Sequence, residues 1–295
     1  MFRAAFTPLV RSFNFLVTSK LFLAFVASLS AGQTFLITNK NIREYIILLL
    51  FVFCATLFAY TVSRVRIYPE KITRKLNRNS GIENSSLLKA VAATCGFIFS
   101  CVLFFLLKGN VQFFVAGLAA CTFAYNVPVT FGSRISKGIR SIFILKNVWL
   151  AFVWACVTVV LPLLGSDEKI FSSNNLMLFL SRLIFIYVIT VAFDIRDVKH
   201  DAKNNLKTLP TQLGISFTKW IAMLSLVIFC VLIYFHVNMQ SDLKHIAPAF
   251  YISAMALGVL VLLAQPKNKL FFYDVMMDGM LVLQAGLVFA YQLLK

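Results

Sequence analysis

Three aspartates stand close together in a chain that has few acidic residues. Asp194, Asp197 and Asp201 are among only 11 Asp and Glu residues in a total of 295, and their spacing is D-x-x-D-x-x-x-D. Residues at these offsets share one face of an α-helix, because each residue turns the helix by about 100°. Clustered carboxylates repel one another unless a cation neutralises them. Hard oxygen ligands on one face suit Mg²⁺, which keeps water and phosphate oxygens in its remaining positions.

A solvated loop is the other interpretation of this segment. Arg196, Lys199 and Lys203 are interspersed with the aspartates, and in water they could balance the negative charge through exposed ion pairs. His200 would then be an ordinary solvated histidine. The spacing alone does not separate a metal site from a charged loop.

The segments around the aspartates are apolar enough to be membrane-spanning helices. Hydrophobic residues make up 60% of the chain, whereas soluble domains are about 45–50% apolar. A span needs about 20 mostly apolar residues, and it must be helical because lipid cannot hydrogen-bond an open strand edge. The sequence therefore predicts an all-α, polytopic membrane protein with nine spans, at about 21–38, 43–63, 87–107, 111–130, 146–164, 176–193, 219–237, 246–264 and 275–294.

Positive charge is distributed unevenly between alternate loops. Most of the 28 Lys and Arg residues lie in the N-terminal segment and in the loops after spans two, four, six and eight. The positive-inside rule then places the N-terminus and these loops in the cytoplasm. We expect a multi-pass protein of the bacterial inner membrane, with one domain over residues 1–295 and cytoplasmic loops at about 64–86, 131–145 and 194–218.

The net charge of +17 does not indicate a nucleic-acid-binding protein. The positive side chains are scattered among short loops between apolar segments, whereas a nucleic-acid interface concentrates them in one stripe or patch. We expect the lipid bilayer, and not nucleic acid, to be a partner of the chain, and the large inner loops indicate that a polar substrate or partner is met from the cytoplasm.

Four short segments resemble a known family. They read DIRDVKHD at 194–201, KTLPTQLG at 207–214, YNVP at 125–128 and KN at 146–147. The first two resemble the second aspartate-rich motif of the UbiA-type intramembrane prenyltransferases, which follows the sixth of nine helices. The resemblance implies the nine-helix arrangement of that family, with Tyr125 and Asn126 at the substrate cavity.

The resemblance also implies a reaction. Members of this family bind a prenyl diphosphate through Mg²⁺, which makes the diphosphate a better leaving group. The allylic cation is then attacked by a lipophilic or aromatic acceptor. For this chain the resemblance implies that Asp194, Asp197 and Asp201 are catalytic and hold the metal, and that the partners are a prenyl diphosphate and a hydrophobic acceptor.

The first aspartate-rich motif of the family is missing. It should follow span two, yet the sequence has no acidic residue between Glu44 and Glu70. We therefore expect a single Mg²⁺ rather than the usual set. Guanidinium and ammonium groups could bind the diphosphate in its place, and the candidate diphosphate-binding residues are Arg64, Arg66, Arg134, Lys137, Lys146, Asn147 and Lys207, with Arg140 nearby.

Two other interpretations of the missing motif stay open. Arg64 could pair with Asp194 or Asp197 and close the site, and the chain would then be a non-catalytic relative that binds an isoprenoid lipid or a membrane partner. Arg64 could also have no role at the site and contribute only to the positive charge that keeps this loop in the cytoplasm. A secondary transporter is a third class of function, but the sequence lacks the paired Gly- or Pro-interrupted spans typical of that class.

Two further sites carry charge into apolar segments. Arg182 lies within span six, where a charge faces other helices or a cavity unless it reaches the outer interface. Asp274 and Asp278 are four residues apart near the start of span nine. They could face the cytoplasmic cavity or stabilise the N-terminus of that helix.

Overall fold

The structure is a computed structural model of the chain. It describes residues 20–67, 85–126, 130–131, 134–135, 145–268 and 271–294. Side chains at 63–67, 85–89, 123–126 and 241, and those of the four residues at 130–131 and 134–135, lie outside this description.

Helices make up nearly all of the described part of the chain. They are α1 (Leu21–Ile37), α2 (Ile46–Ile67), α3 (Ser85–Phe105), α4 (Gly109–Asn126), α5 (Leu145–Ala155), α6 (Leu161–Gly165), α7 (Ser173–Lys203), α8 (Leu209–Met239), α9 (Ala247–Leu263) and α10 (Gly279–Leu293). Two 3₁₀ turns cover Ile42–Tyr45 and Ser241–Ile246, and two π-helical segments cover Cys156–Val160 and Phe272–Met277. A two-residue antiparallel pair joins β1 (Thr130–Phe131) to β2 (Arg134–Ile135).

Nine apolar helical segments occur within the described residues, one for each predicted span. Six are long and apolar enough to cross a membrane, and they cover Ile42–Val62, Leu145–Gly165, Ser173–Lys203, Leu209–Met239, Asp242–Leu263 and Phe272–Leu293. Three are shorter, at Leu21–Ile37, Ala90–Phe105 and Gly109–Thr122. The predicted all-α membrane fold and its helix count are confirmed.

Contacts divide the chain into two compact units. The first comprises Met1–Leu29 and Arg43–Leu107, and the second comprises Ser30–Ile42 and Lys108–Lys295. Helix α1 therefore contributes its beginning to the first unit and its end to the second.

Helices α2 and α3 pack closely in the first unit because a glycine lies between their backbones. A Cβ atom on Gly96 would lie 3.1 Å from the carbonyl oxygen of Cys54 and 3.3 Å from the backbone nitrogen of Phe58. The rings of Phe58 and Phe97 meet beside this point, with 5.0 Å between their centroids. Backbone atoms cannot rotate away, so this approach depends on the absence of a side chain at position 96.

The second unit contains a series of neighbouring helices around buried polar contacts. Helix α7 packs against α5 and α8, α8 against α9, and α9 against α10. The end of α1 contacts two other parts of this unit, the π-helical segment Cys156–Val160 and helix α10. The hydroxyl of Thr34 donates to the carbonyl of Thr158 over 2.6 Å, and the amide of Gln33 donates to Gln284 over 3.5 Å.

Helix α7 is longer than a membrane requires. Its 31 residues extend about 46 Å at 1.5 Å per residue, whereas the hydrocarbon core of a bilayer is about 30 Å thick. The hydroxyl of Ser172 accepts from the backbone of Asn175 at the start of the helix over 3.2 Å. The helix ends where the backbone nitrogen of Leu206 donates to the carbonyl of Asp201 over 2.9 Å. The polar end of α7 therefore carries the acidic motif as an ordered helix.

Helix α8 is interrupted near its start. Gly214 has φ +80° and ψ 161°, a conformation that essentially only glycine adopts. The hydroxyl of Thr218 donates to the carbonyl of Gly214 over 2.8 Å, which occupies one acceptor at the break. The short turn that begins at Leu209 is therefore separated from the long apolar part of the helix, which contains the predicted span 219–237.

Candidate functional site

Asp194 is held by two consecutive residues at the start of α5. The Lys146 Nζ atom lies 2.8 Å from Asp194 Oδ1, and the Asn147 amide donates to Asp194 Oδ2 over 2.6 Å. The residue Asp194 is only 3% exposed. Because a buried carboxylate is costly without a partner, the ammonium and the amide together account for its presence here.

Asp197 is held by its neighbour in sequence. The Arg196 guanidinium donates through Nε to Asp197 Oδ1 over 2.8 Å and through Nη2 to Asp197 Oδ2 over 2.9 Å. Consecutive helical side chains normally point in different directions, so the guanidinium must turn back to make this two-nitrogen contact. Such paired bonds are among the stronger hydrogen bonds in proteins.

The same guanidinium also contacts the last part of the chain. Its Nη1 atom donates to Asp274 Oδ1 over 3.1 Å. Asp274 lies in the π-helical segment Phe272–Met277 that precedes α10. Arg196 thus bridges one carboxylate on α7 and another carboxylate 78 residues later.

Two aromatic rings surround the guanidinium. The Cζ atom of Arg196 lies 4.7 Å from the ring centroid of Phe193 and 5.7 Å from that of Tyr273. Tyr273 is fully buried, and its hydroxyl donates to the carbonyl of Gln265 over 3.0 Å. Cation–π attraction of this kind favours a charged guanidinium, so Arg196 is fixed by aromatic faces as well as by carboxylates.

Asp201 differs from the other two aspartates of the motif. It is buried, and its Oδ2 atom has no hydrogen-bond partner within the described residues. Its Oδ1 atom lies 3.6 Å from His200 Nδ1, too long for a strong bond. The motif therefore offers one buried carboxylate oxygen that is open to a further ligand.

The structure describes the other predicted site residues to different extents. Lys207 is described and exposed in the turn before α8. Arg64 and Arg66 belong to α2, Tyr125 and Asn126 end α4, and Arg134 lies in β2, but their side chains are outside the description. Lys137 and Arg140 lie outside the described residues altogether. These assignments stay predictions.

Sequence reasoning missed the contacts of Arg196 and underestimated Asp274. The sequence indicates Arg196 only as a charge that could balance the aspartates in a solvated loop. Asp274 is one of the few acidic residues near an apolar segment, and this rarity is the feature of the sequence that could have indicated a role at the site. Its partner could not be identified from sequence because the contact spans 78 residues.

A divalent ion fits this arrangement only in part. Within the described residues no group of three or more His, Cys, Asp or Glu side chains is placed to hold a metal. The oxygens of Asp194 and Asp197 are taken by Lys146, Asn147 and Arg196. The open Asp201 Oδ2 suits Mg²⁺, which commonly takes one or two protein carboxylates and completes its shell with water and phosphate oxygens.

The chain belongs to the UbiA prenyltransferase family. The family's sequence model matches residues 71–270, which include the acidic motif and the contacts of Asp194. The class of protein is therefore an all-α, multi-pass membrane protein with the fold of that family. No curated protein sequence matches the chain.

Two solved structures share this fold. One is a UbiA homologue from Archaeoglobus fulgidus bound to GPP and Mg²⁺, with a TM-score of 0.64, 12% identity, and coverage of 94% of this chain and 98% of that chain. The other is a digeranylgeranylglyceryl phosphate synthase, with a TM-score of 0.55, 14% identity, and coverage of 96% and 98%. At these identities the likeness concerns the fold.

Proposed function

We propose that the chain is an intramembrane prenyltransferase, which moves a prenyl group from a prenyl diphosphate to a lipophilic or aromatic acceptor. The observation that carries the proposal is the buried Oδ2 atom of Asp201, at the end of the family's acidic motif, which has no hydrogen-bond partner among the residues that the structure describes. A buried carboxylate oxygen without a partner is unfavourable. A divalent ion that arrives with a diphosphate would satisfy it.

The residues of the motif would divide the work. Asp201 would hold the ion, while Lys146 and Asn147 keep the carboxylate of Asp194 in a fixed orientation. Bound Mg²⁺ would neutralise the diphosphate and favour its departure. The carbon–oxygen bond to the diphosphate then breaks with its electron pair on the oxygen, and the acceptor forms a new bond to the allylic carbon and loses a proton.

Three further features support a prenyl diphosphate as the donor. The similar structure from Archaeoglobus fulgidus is bound to GPP and Mg²⁺. The apolar helices of this chain provide surroundings suited to a prenyl tail. Arg64, Arg66, Arg134 and Lys137, predicted diphosphate-binding residues whose side chains the structure does not describe, supply positive charge on the side of the membrane that we assign to the cytoplasm.

A second function is supported by the same site. Both oxygens of Asp194 and both oxygens of Asp197 already have partners in the chain. The sequence also lacks the acidic residues of the family's first motif. A relative that binds an isoprenoid lipid or a membrane partner without catalysis would need no further metal-binding carboxylates.

Prenyl transfer by the purified protein separates the two functions. Proteoliposomes would receive radiolabelled geranyl or longer prenyl diphosphates, Mg²⁺ and candidate aromatic or lipid acceptors. We expect a labelled lipophilic product whose formation requires Mg²⁺ and is reduced at least 100-fold in Asp201→Asn. Asp242→Asn, which changes an exposed aspartate in the 3₁₀ turn before α9, is the matched control.

The proposal has a clear counter-result. A folded protein that shows neither transfer nor Mg²⁺-dependent diphosphate binding would overturn it. A co-purified isoprenoid identified by mass spectrometry, in the absence of turnover, would favour the second function. Full activity in Asp201→Asn would show that the reaction does not need the Asp201 carboxylate, and the proposed site would then be wrong.

A further inference from the structure

A chain of buried polar side chains crosses three helices of the second unit. The amide of Gln33 on α1 donates to Gln284 Oε1 on α10 over 3.5 Å, and the amide of Gln284 donates to Ser253 Oγ on α9 over 3.1 Å. The hydroxyl of Ser253 donates in turn to the carbonyl of Phe250 over 2.9 Å. Every side chain of the series therefore donates in the direction of α9, and the acceptor atom Gln33 Oε1 is left at the α1 end.

Two polar atoms at the α1 end of this chain have no hydrogen-bond partner within the described residues. They are Gln33 Oε1 and Ser30 Oγ, and their residues are 1% and 0% exposed. Helical residues three positions apart lie on one face, so the two side chains leave α1 on the same side, one turn apart. A buried polar atom without a partner is costly, and lipid cannot supply the missing hydrogen bond.

Ser30 differs from other buried serines of the described helices. Ser181 donates to the carbonyl of Leu178 over 2.9 Å, and Ser253 donates to that of Phe250 over the same distance. A serine within a helix can make such a bond to its own backbone, yet Ser30 makes none among the residues that the structure describes. Its hydroxyl is therefore available to a group that these residues do not provide.

We infer that one water molecule is bound between Ser30 and Gln33, inside the membrane-spanning part of the second unit. It donates a proton to Gln33 Oε1 and accepts the proton of the Ser30 hydroxyl. Buried waters commonly make about three hydrogen bonds to polar groups that have no other partner. A larger molecule with a hydroxyl group is disfavoured, because side chains that are 0% and 1% exposed offer no entry for a lipid head group. The site goes beyond the proposed function, since it includes no residue of the acidic motif.

The bound water extends the chain of hydrogen bonds along α1. The chain then runs from Ser30 through the water to Gln33, and on to Gln284, Ser253 and the carbonyl of Phe250. Between helices in a membrane, hydrogen bonds contribute to association because the hydrophobic effect does not drive it. The water therefore acts as a structural ligand that fixes the end of α1 to α9 and α10.

X-ray footprinting of the purified protein in detergent tests for the water directly. X-rays convert a bound water into hydroxyl radicals that oxidise the nearest side chains, and mass spectrometry locates the modified peptide. After equilibration in water enriched in a heavy oxygen isotope, the wild-type peptide that contains Ser30 and Gln33 should carry the label although both residues are buried. Ser30→Val and Gln33→Leu each remove a polar partner of the water and should lower this labelling by about fivefold or more.

Thr190→Val is the matched control, because it removes a buried hydroxyl that already has a partner. That hydroxyl donates to the carbonyl of Tyr187 over 2.7 Å, so labelling of the α1 peptide should be unchanged in this variant. An experimental structure that resolves ordered water gives a second readout that needs no variant. It should show density within hydrogen-bond distance of both Ser30 Oγ and Gln33 Oε1.

Three results would overturn the inference. The first is a wild-type α1 peptide without label, and the second is equal labelling in wild type, Ser30→Val and Gln33→Leu. The third is a lipid alcohol that native mass spectrometry detects on the wild-type protein and not on Gln33→Leu, because the site would then hold a larger molecule. Prenyl transfer is measured separately, and its presence or absence leaves the water site unaffected.

Discussion

The ammonium nitrogen of Lys146 lies 2.8 Å from the Oδ1 atom of Asp194, and this contact joins the first turn of α5 to the polar end of α7. The resemblance to the family predicts that Lys146 and Asn147 bind the diphosphate. In the structure both side chains bond to the carboxylate. Their direct effect is therefore on the position and charge of Asp194, and any effect on a diphosphate would act in addition to this.

Replacing Lys146 should destabilise the protein. The side chain of Asp194 is only 4% exposed while that of Lys146 is 30% exposed, so Lys146→Met leaves a buried carboxylate without its counter-charge. Breaking a fully buried pair costs about 3–5 kcal/mol, and the partial exposure of the lysine reduces our expectation to about 2 kcal/mol. Denaturation of the purified protein in detergent measures the change.

The control for this prediction is a substitution of both partners. Lys146→Met combined with Asp194→Leu removes both charges, and it should recover most of the lost stability because an apolar pair often replaces a buried ion pair without loss. If Lys146→Met is as stable as wild type, the contact is not a structural one.

Gly96 should tolerate no larger side chain. A Cβ atom there meets the backbone of Cys54 at 3.1 Å and the backbone of Phe58 at 3.3 Å, so Gly96→Leu forces α2 and α3 apart. Overpacking of this kind costs about 1–3 kcal/mol. Gly117→Leu is the matched control, because nothing lies within 4 Å of a Cβ atom at that position. Equal melting temperatures for the two variants would contradict the close approach of the helices.

The membrane fold could be predicted from the sequence because it follows from the length and polarity of the apolar segments. The polar end of α7 shows where such reasoning stops. Its predicted span ends at 193, yet the helix continues to Lys203. That extension is stabilised by Asp194 and Arg196 contacts with residues 47 to 78 positions away. Helical periodicity placed the three aspartates on one face, but long-range pairing decides which of their oxygens are available.

Gly214 should resist substitution for a reason that does not involve space. A Cβ atom at this position meets nothing within 4 Å, but the φ of +80° strains any residue with a side chain. We expect Gly214→Ala to cost about 1–3 kcal/mol. Gly286→Ala, in the middle of α10 and also in open space, should instead be neutral or stabilising by up to about 1 kcal/mol. Denaturation curves of the two variants give the comparison, and a stabilised Gly214→Ala would show that the helix is not interrupted there.

Removal of the Arg182 charge should not destabilise the protein, in contrast to removal of the Lys146 charge. It is only 2% exposed, and both terminal nitrogens lack hydrogen-bond partners within the described residues. A charge at membrane depth costs about 2.5–3.5 kcal/mol even on insertion scales, so Arg182→Met should be at least as stable as wild type and up to about 2 kcal/mol more stable. Lys169→Met, at an exposed position between α6 and α7, controls for the general loss of a positive charge and should change little. A loss of more than about 1 kcal/mol in Arg182→Met would mean that the guanidinium makes a stabilising contact in the membrane, and Arg182→Lys, which keeps the charge but not the planar group, would then show whether charge or geometry is required.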